Sequence, residues 1–267
     1  MKLKKYFVLT RAGIIESLQF RISAVTVLVG NILYIIITYF LWKAIYSSVD
    51  TDTVNGMTLY DTMIYLALAT ALFSFMETYI VWSIGPAIQN GKIVLDLLKP
   101  MKYRSYVFWS YSGSYVMNFF MTFLPTFVIV YFMTDHYIHL GYNILLFIPS
   151  VVMATVINFS IDYIICIVCF YTESIWGVNI MKEVVVLLLS GATIPLAFFP
   201  EGFRKILYFL PFQSVYNAPL TILINHNMEM TEIVKMLGIQ LLWCFVMIGI
   251  GELFWKVSVR KITVNGG

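Results

Sequence analysis

Three carboxylates stand where carboxylates are costly. Glu77, Asp162 and Glu252 fall inside long apolar runs, and a lone charge at the centre of a bilayer costs about 2.5–3.5 kcal/mol on insertion scales. Asp162 lies deepest, with Asn158 one turn earlier on the same helical face, while Glu77 and Glu252 sit toward the ends of their runs. Such groups could form a proton-coupled site or part of a translocation pathway. The other reading is that Glu77 and Glu252 snorkel or pair with a basic neighbour and that Asp162 is hydrogen-bonded within a helical bundle. No other set of polar residues converges. Cys166 and Cys169 make a C-x-x-C spacing inside an apolar run, but neither a second pair nor a nearby histidine completes a metal set, so both read as packing residues, as does Cys244. His136, His139 and His226 fall in polar links and make no H-E-x-x-H pattern. The segment 85–93 resembles a phosphate-binding loop only loosely: five residues rather than four separate Gly85 from Gly91, and Ile93 stands where Ser or Thr would hold magnesium.

The elements that must position these groups follow from composition. The 267 residues are 60% hydrophobic and 12% charged, with a mean hydropathy of +0.85. Soluble domains carry roughly twice that share of charge, about 25%. A secreted domain, a nucleic-acid binder and a disordered tail are excluded, and the basic N-terminus lacks the small-residue site of a cleaved signal peptide. Apolar runs of about 20 residues, enough to cross a bilayer as helices, recur along the chain.

Residues 1–21 place Phe7, Ile14, Ile15 and Leu18 near one helical face and Lys4, Lys5, Arg11 and Glu16 largely on the other, the pattern of an interfacial helix. Spans are expected over residues 22–42, 59–84, 106–133, 143–170 and 234–255. The fifth of six is interrupted by Glu173, Lys182 and Glu183; its clean run begins at Val184 and ends near Phe199, marked by Pro200. Residues 200–233 then hold two apolar stretches, 206–210 and 219–224, too short to cross, which should lie at the interface or re-enter it. The expected architecture is an all-α membrane protein of six transmembrane helices in a single domain, 1–267. Tyr39, Trp42, Trp82, Tyr106 and Trp109 near span ends read as interface anchors. Phe119, Phe120, Phe123, Phe127 and Tyr131 could line a cavity, though packing is the simpler reading.

Thirteen of the 17 basic residues, Lys182 among them, map to one side of this arrangement. The positive-inside rule puts both termini in the cytoplasm. Residues 85–104 become the largest cytoplasmic loop between spans, and residues 200–233 are external. Within that loop Ile88, Leu95 and Leu98 lie near one face of a short amphipathic helix that Pro100 stops. Such a helix suits docking into a partner's groove, or serves as an interfacial connector.

The run Gly91-Lys92-Ile93-Val94-Leu95-Asp96-Leu97-Leu98-Lys99-Pro100 resembles the cytoplasmic coupling segment of type-2 ATP-binding-cassette (ABC) exporter permeases, in the branch whose members often occur as paired permeases beside one ATPase. Residues 189–200, with Ser190, Gly191, Pro195 and Pro200, followed by Leu210-Pro211-Phe212, are similar to that family's pattern at the external end of the fifth span. The resemblance covers nearly the whole chain. It implies a membrane-spanning subunit that forms a pathway with a second permease, identical or related, and that carries no cofactor. ATP and Mg would sit on a separate nucleotide-binding ATPase subunit. It also implies ATPase coupling through Ile88, Gly91, Ile93, Leu95, Asp96, Leu98, Lys99 and Pro100, and a gate near Gly191, Pro195 and Pro200, beside the pathway candidates Glu77, Asp162 and Glu252 read from their apolar surroundings. The expected setting is a bacterial cell membrane, with membrane lipid as the other partner. Expected substrates are drug-like, peptide or lipid-like amphiphiles; the same architecture supports export of a polysaccharide or lipid-linked glycan. A membrane enzyme is disfavoured because the three acids are scattered. A proton-coupled carrier rests on Asp162 alone.

Overall fold

A computed structural model describes residues 2–19, 21–49, 53–134, 138, 141–172, 174–225 and 228–261. Asp50, Asp52, Asp135, Glu173 and the three histidines lie outside these residues. The chain runs α1 (Lys2–Gln19), α2 (Arg21–Ser47), a hairpin of β1 (Thr53–Val54) and β2 (Met57–Thr58), α3 (Leu59–Met76), α4 (Ile80–Gln89), α5 (Ile93–Leu97), α6 (Tyr103–Asn118) and α7 (Leu124–Met133). It continues through α8 (Tyr142–Val168), α9 (Ile175–Ser190), α10 (Glu201–Phe209), α11 (Asn217–Ile224) and α12 (Met230–Ser258). It is an all-α membrane protein with a two-residue ladder as its only described sheet. Among the described residues, five helical stretches are long and apolar enough to cross a membrane: Ile22–Ser47, Leu59–Gln89, Tyr103–Met133, Tyr142–Val168 and Met230–Ser258.

Where the fifth span is expected, α9 has 16 residues, about 24 Å at 1.5 Å per residue. Its limits correct the reading that the run starts at Val184 and ends at Phe199. Lys182 sits inside the helix because its charge is met there by a carboxylate. The helix stops at Gly191, whose φ of +84° only glycine adopts without strain. A Cβ there would also press on Leu196 and the Tyr65 hydroxyl at 3.0 Å.

The hairpin has a simple local cause. Asn55 and Gly56 both take positive φ, 51° and 82°, which two-residue turns between twisted strands require. Thr58 then caps α3 in a reciprocal box with Asp61, whose carboxylate accepts from the Thr58 N–H at 2.9 Å. The Tyr46 hydroxyl at the end of α2 donates to the Met57 carbonyl at 2.9 Å and so ties the turn to the first span. Nearby Trp42, expected as a lipid-facing anchor, is buried against Phe198 with ring centroids 4.6 Å apart.

The core runs the length of α3 and α4, with α8 against them and α11 packed under the α8 start. Gln240 locks three elements: it donates to the Ser214 and Ser150 carbonyls at 2.8 and 3.3 Å and accepts from the Ser150 hydroxyl at 2.8 Å. This fixes the segment 201–224 to α8 and α12. Phe119, Phe123, Phe127 and Tyr131 form a stacked ladder with successive centroids 5.3–6.2 Å apart, and Phe123 also stacks on Phe147. The ladder is packing, and Phe120 alone of the five points outward.

α1 is held to α6 by small residues. Thr10 shares a 2.7 Å hydrogen bond with Ser112 and Ser17 donates to Ser114 at 3.1 Å, while Gly13 and Gly113 let the backbones touch. Phe7, Ile15 and Leu18 are left outward. A Cβ on Gly113 would collide with backbone atoms of Thr10, Gly13 and Ile14. Gly113→Ala is therefore expected to destabilise the protein by about 1–3 kcal/mol, the usual cost of overpacking. Gly30→Ala, which enters open space, should not; thermal unfolding of the two variants in detergent checks the contrast.

Candidate functional site

The second span is not one helix. α3 ends at Met76, Glu77 turns to extended backbone (ψ 123°), and α4 starts at Ile80. A break inside a membrane exposes carbonyls that lipid cannot satisfy. Here two asparagines cover them. The Asn118 side-chain amide donates to Glu77 O at 3.3 Å and to Phe75 O at 3.5 Å, and that of Asn158 donates to Met76 O at 3.3 Å. Asn118 ends α6, immediately before a π-helical turn at Phe119–Phe123. Turns of this kind widen a helix by one residue and often mark functional sites.

A small recess opens at the break, lined among others by Glu77, Thr78, Trp82, Asn158, Asp162, Lys182, Glu183 and Tyr216. Asp162 and Lys182 are paired across α8 and α9, with Oδ1 and Nζ 2.9 Å apart and side-chain exposures of 4% and 15%. Asn179 donates to Glu183 Oε1 at 2.6 Å one turn earlier on α9. Asp162 is thus hydrogen-bonded within the bundle. Lys182, counted among the basic residues on the cytoplasmic side, is its partly buried partner. Glu77 shares the recess. Glu252 does not: it lines a separate recess with Lys102, Arg104 and Lys256, so the three acids form no common site. Sequence reasoning missed Lys182 and Asn118; their signal was a polar residue in an apolar run facing an oppositely polar one on the next span.

The coupling segment also differs from the single amphipathic helix expected. α4 carries Ile88 to its end, Gly91 takes φ +70°, and a new five-residue helix, α5, begins at Ile93. The break rotates the apolar positions apart. Ile88 and Ile93 are buried in the cluster with Tyr103, Val107 and Tyr163, whereas Leu95 and Leu98 are 68% and 76% exposed. Asp96 and Lys99 form an ion pair at 2.7 Å, and the Lys99 ammonium lies 3.7 Å from the Tyr106 ring centre. Partial burial pulls the Lys99 pKa down, but hydrogen bonds to Asp96 and Tyr106 more than offset it and hold the pKa above the ordinary lysine value. Lys5 of α1 donates to the Pro100 carbonyl at 3.0 Å. The segment is thus a braced knob with two leucines outward. At the other end Pro195 precedes a single 3₁₀ turn, Leu196–Phe198, and Pro200 starts α10, 9 residues long.

Residues 32–266 match the family model of the ABC-2 family transporter protein. The chain belongs to that family. It is a permease subunit of an ABC transporter, a multi-pass membrane component that associates with an ATPase subunit and is not itself the catalytic part. A comparison with curated proteins finds no match. For the permease, the matched range begins within α2 and takes in the break, the recess and α5.

Proposed function

We propose that this permease lines an export pathway with a second permease, identical or related, powered by ATP and Mg on separate nucleotide-binding subunits. Its substrates are drug-like, peptide or lipid-like amphiphiles. The observation that carries the reading is α5: a short helix braced to α1 and α6 that presents Leu95 and Leu98 outward. Two exposed leucines on a rigid support suit an apolar groove on an ATPase, and rigidity lets domain closure there be felt by α4 and the break above it. Ile88, Gly91, Ile93, Asp96, Lys99 and Pro100 shape and brace the knob.

In this reading α9 and the turn through Pro195 together make the fifth of six crossings, and Gly191, Pro195 and Pro200 shape its outer end. Residues 1–21 lie at the interface as part of a single domain with the remainder, and residues 200–233 re-enter from the external side. Lys92, Lys102, Arg104, Lys256 and Arg260 all fall at the α5 end, which supports cytoplasmic termini in a bacterial cell membrane. The outward face of α2, of whose span window only 6% is buried, faces lipid or the second permease. Glu77 and the Asp162–Lys182 pair form the polar wall of the pathway at the helix break. Expressed with its neighbouring genes, the chain is expected to co-purify with an ATPase. Fully active transport reconstituted with no nucleotide-binding subunit would overturn the proposal.

A further inference from the structure

At the α5 end, α6, α8 and α12 enclose a recess of about 510 Å³. Lys102 and Arg104 stand on the α6 side and Lys256 on the α12 side, with Glu252 as the one acid in the lining. Three cations against one anion leave a surplus of two positive charges. The wall is aromatic: Tyr103 stacks on Trp255 at 4.7 Å between centroids, and Tyr163 packs against Trp255 at 5.9 Å.

Two features distinguish this recess from a belt of interfacial Lys and Tyr. Tyr103 and Tyr163 are only 6% and 1% exposed, yet neither hydroxyl has a hydrogen-bond partner. Buried hydroxyls are seldom left so; the two side chains stand in the recess wall with their hydroxyl oxygens shielded from solvent behind it. Arg104, moreover, is held in place before any ligand arrives. Its Nη1 donates to Ile248 O at 3.0 Å, its Nη2 to Ser160 Oγ at 2.8 Å, and its guanidinium lies 5.8 Å from the Phe159 ring centre. A guanidinium has five N–H donors, so others remain to spare.

Fixed N–H donors and flanking ammonium groups suit an anion rich in acceptor oxygens. A phosphate monoester carries about −1.5 to −2 at neutral pH, which matches the surplus; a zwitterionic diester does not. We propose that this recess binds a phosphate monoester headgroup. Arg104 donates to its oxygens, and Lys102 and Lys256 neutralise it at the mouth. Glu252 tempers the affinity.

The test uses the full chain with its ATPase in nanodiscs of phosphatidylcholine containing a minor fraction of phosphatidic acid, with retained lipid counted by native mass spectrometry. Preferential retention of phosphatidic acid is expected. Lys102→Gln with Lys256→Gln should lower it about 30-fold, the scale for losing two basic residues beside an anionic headgroup. Glu252→Gln should raise it about fivefold, a gain that misfolding cannot mimic. Competition by glycerol 3-phosphate would assign the site to soluble phosphomonoesters, whereas displacement by short-chain phosphatidic acid alone would assign it to lipid. Equal retention of the two lipids, or a preference unmoved by the lysine and Glu252 changes, would overturn the proposal.

Discussion

Lys182→Met is expected to cost about 3–5 kcal/mol of stability, the penalty for removing one partner of a buried ion pair and stranding the other. Asp162 has 4% of its side chain exposed and Lys182 is the basic residue bonded to it. Asp162→Asn leaves the ammonium stranded and should also destabilise, although Lys182 is less buried and its long stem can reach toward the recess. The double variant Asp162→Asn, Lys182→Met removes both charges and should recover most of the loss. A double-mutant cycle on thermal unfolding would show strong coupling between the two sites. Additive losses would mean that the pair contributes nothing as a pair. Transport by the double variant then separates the roles: a folded but inactive protein would place the charges in the pathway, and a folded, active one would make them a strut.

The second large effect falls on coupling. Leu95→Asp with Leu98→Asp changes two side chains that are 68% and 76% exposed, so the permease should fold and insert as before. If α5 seats in an ATPase groove, charging both anchors there removes about 2 kcal/mol or more of docking energy, the scale of an interface hot spot. Co-purification of the ATPase should fall by about 30-fold and ATP-driven transport with it. Val94, next to them but partly buried, is not part of this effect. Undiminished co-purification and transport in the Leu95, Leu98 variant would remove α5 from the coupling role.

Much of the fold was legible because an apolar run of bilayer length admits few other readings, and the helices at 21–47, 103–133, 142–168 and 230–258 lie close to their expected limits. What was not legible depends on contacts between distant residues. The break at Glu77 to Tyr79 carries neither proline nor glycine; it exists because Asn118 and Asn158, far along the chain, accept the burden of its carbonyls. Lys182 read as one of the basic residues on the cytoplasmic side, because its partner Asp162 is 20 residues earlier on another helix. Gly91 was part of the expected coupling helix, but its left-handed backbone divides that helix and sends Ile88 and Leu95 to opposite environments. The hairpin is different: Asn55-Gly56 is a local turn signal and could have been read from the sequence. The recess beside Arg104 had no such signal, because its lining comes from three separate spans.

The same break sets an order for biosynthesis. α2 leaves the ribosome before the second span and can rest in lipid alone, since only 6% of its span window is ever covered by the chain. The second span cannot: 72% of its window is destined for burial, and its open carbonyls wait for one amide about 40 residues later and another about 80 residues later. Until Asn158 has emerged, the nascent chain holds an unfinished crossing. A ribosome stalled before that residue would therefore present to membrane quality control a segment long enough to span the bilayer but unable to settle in it, and the fourth span is the point at which synthesis becomes folding.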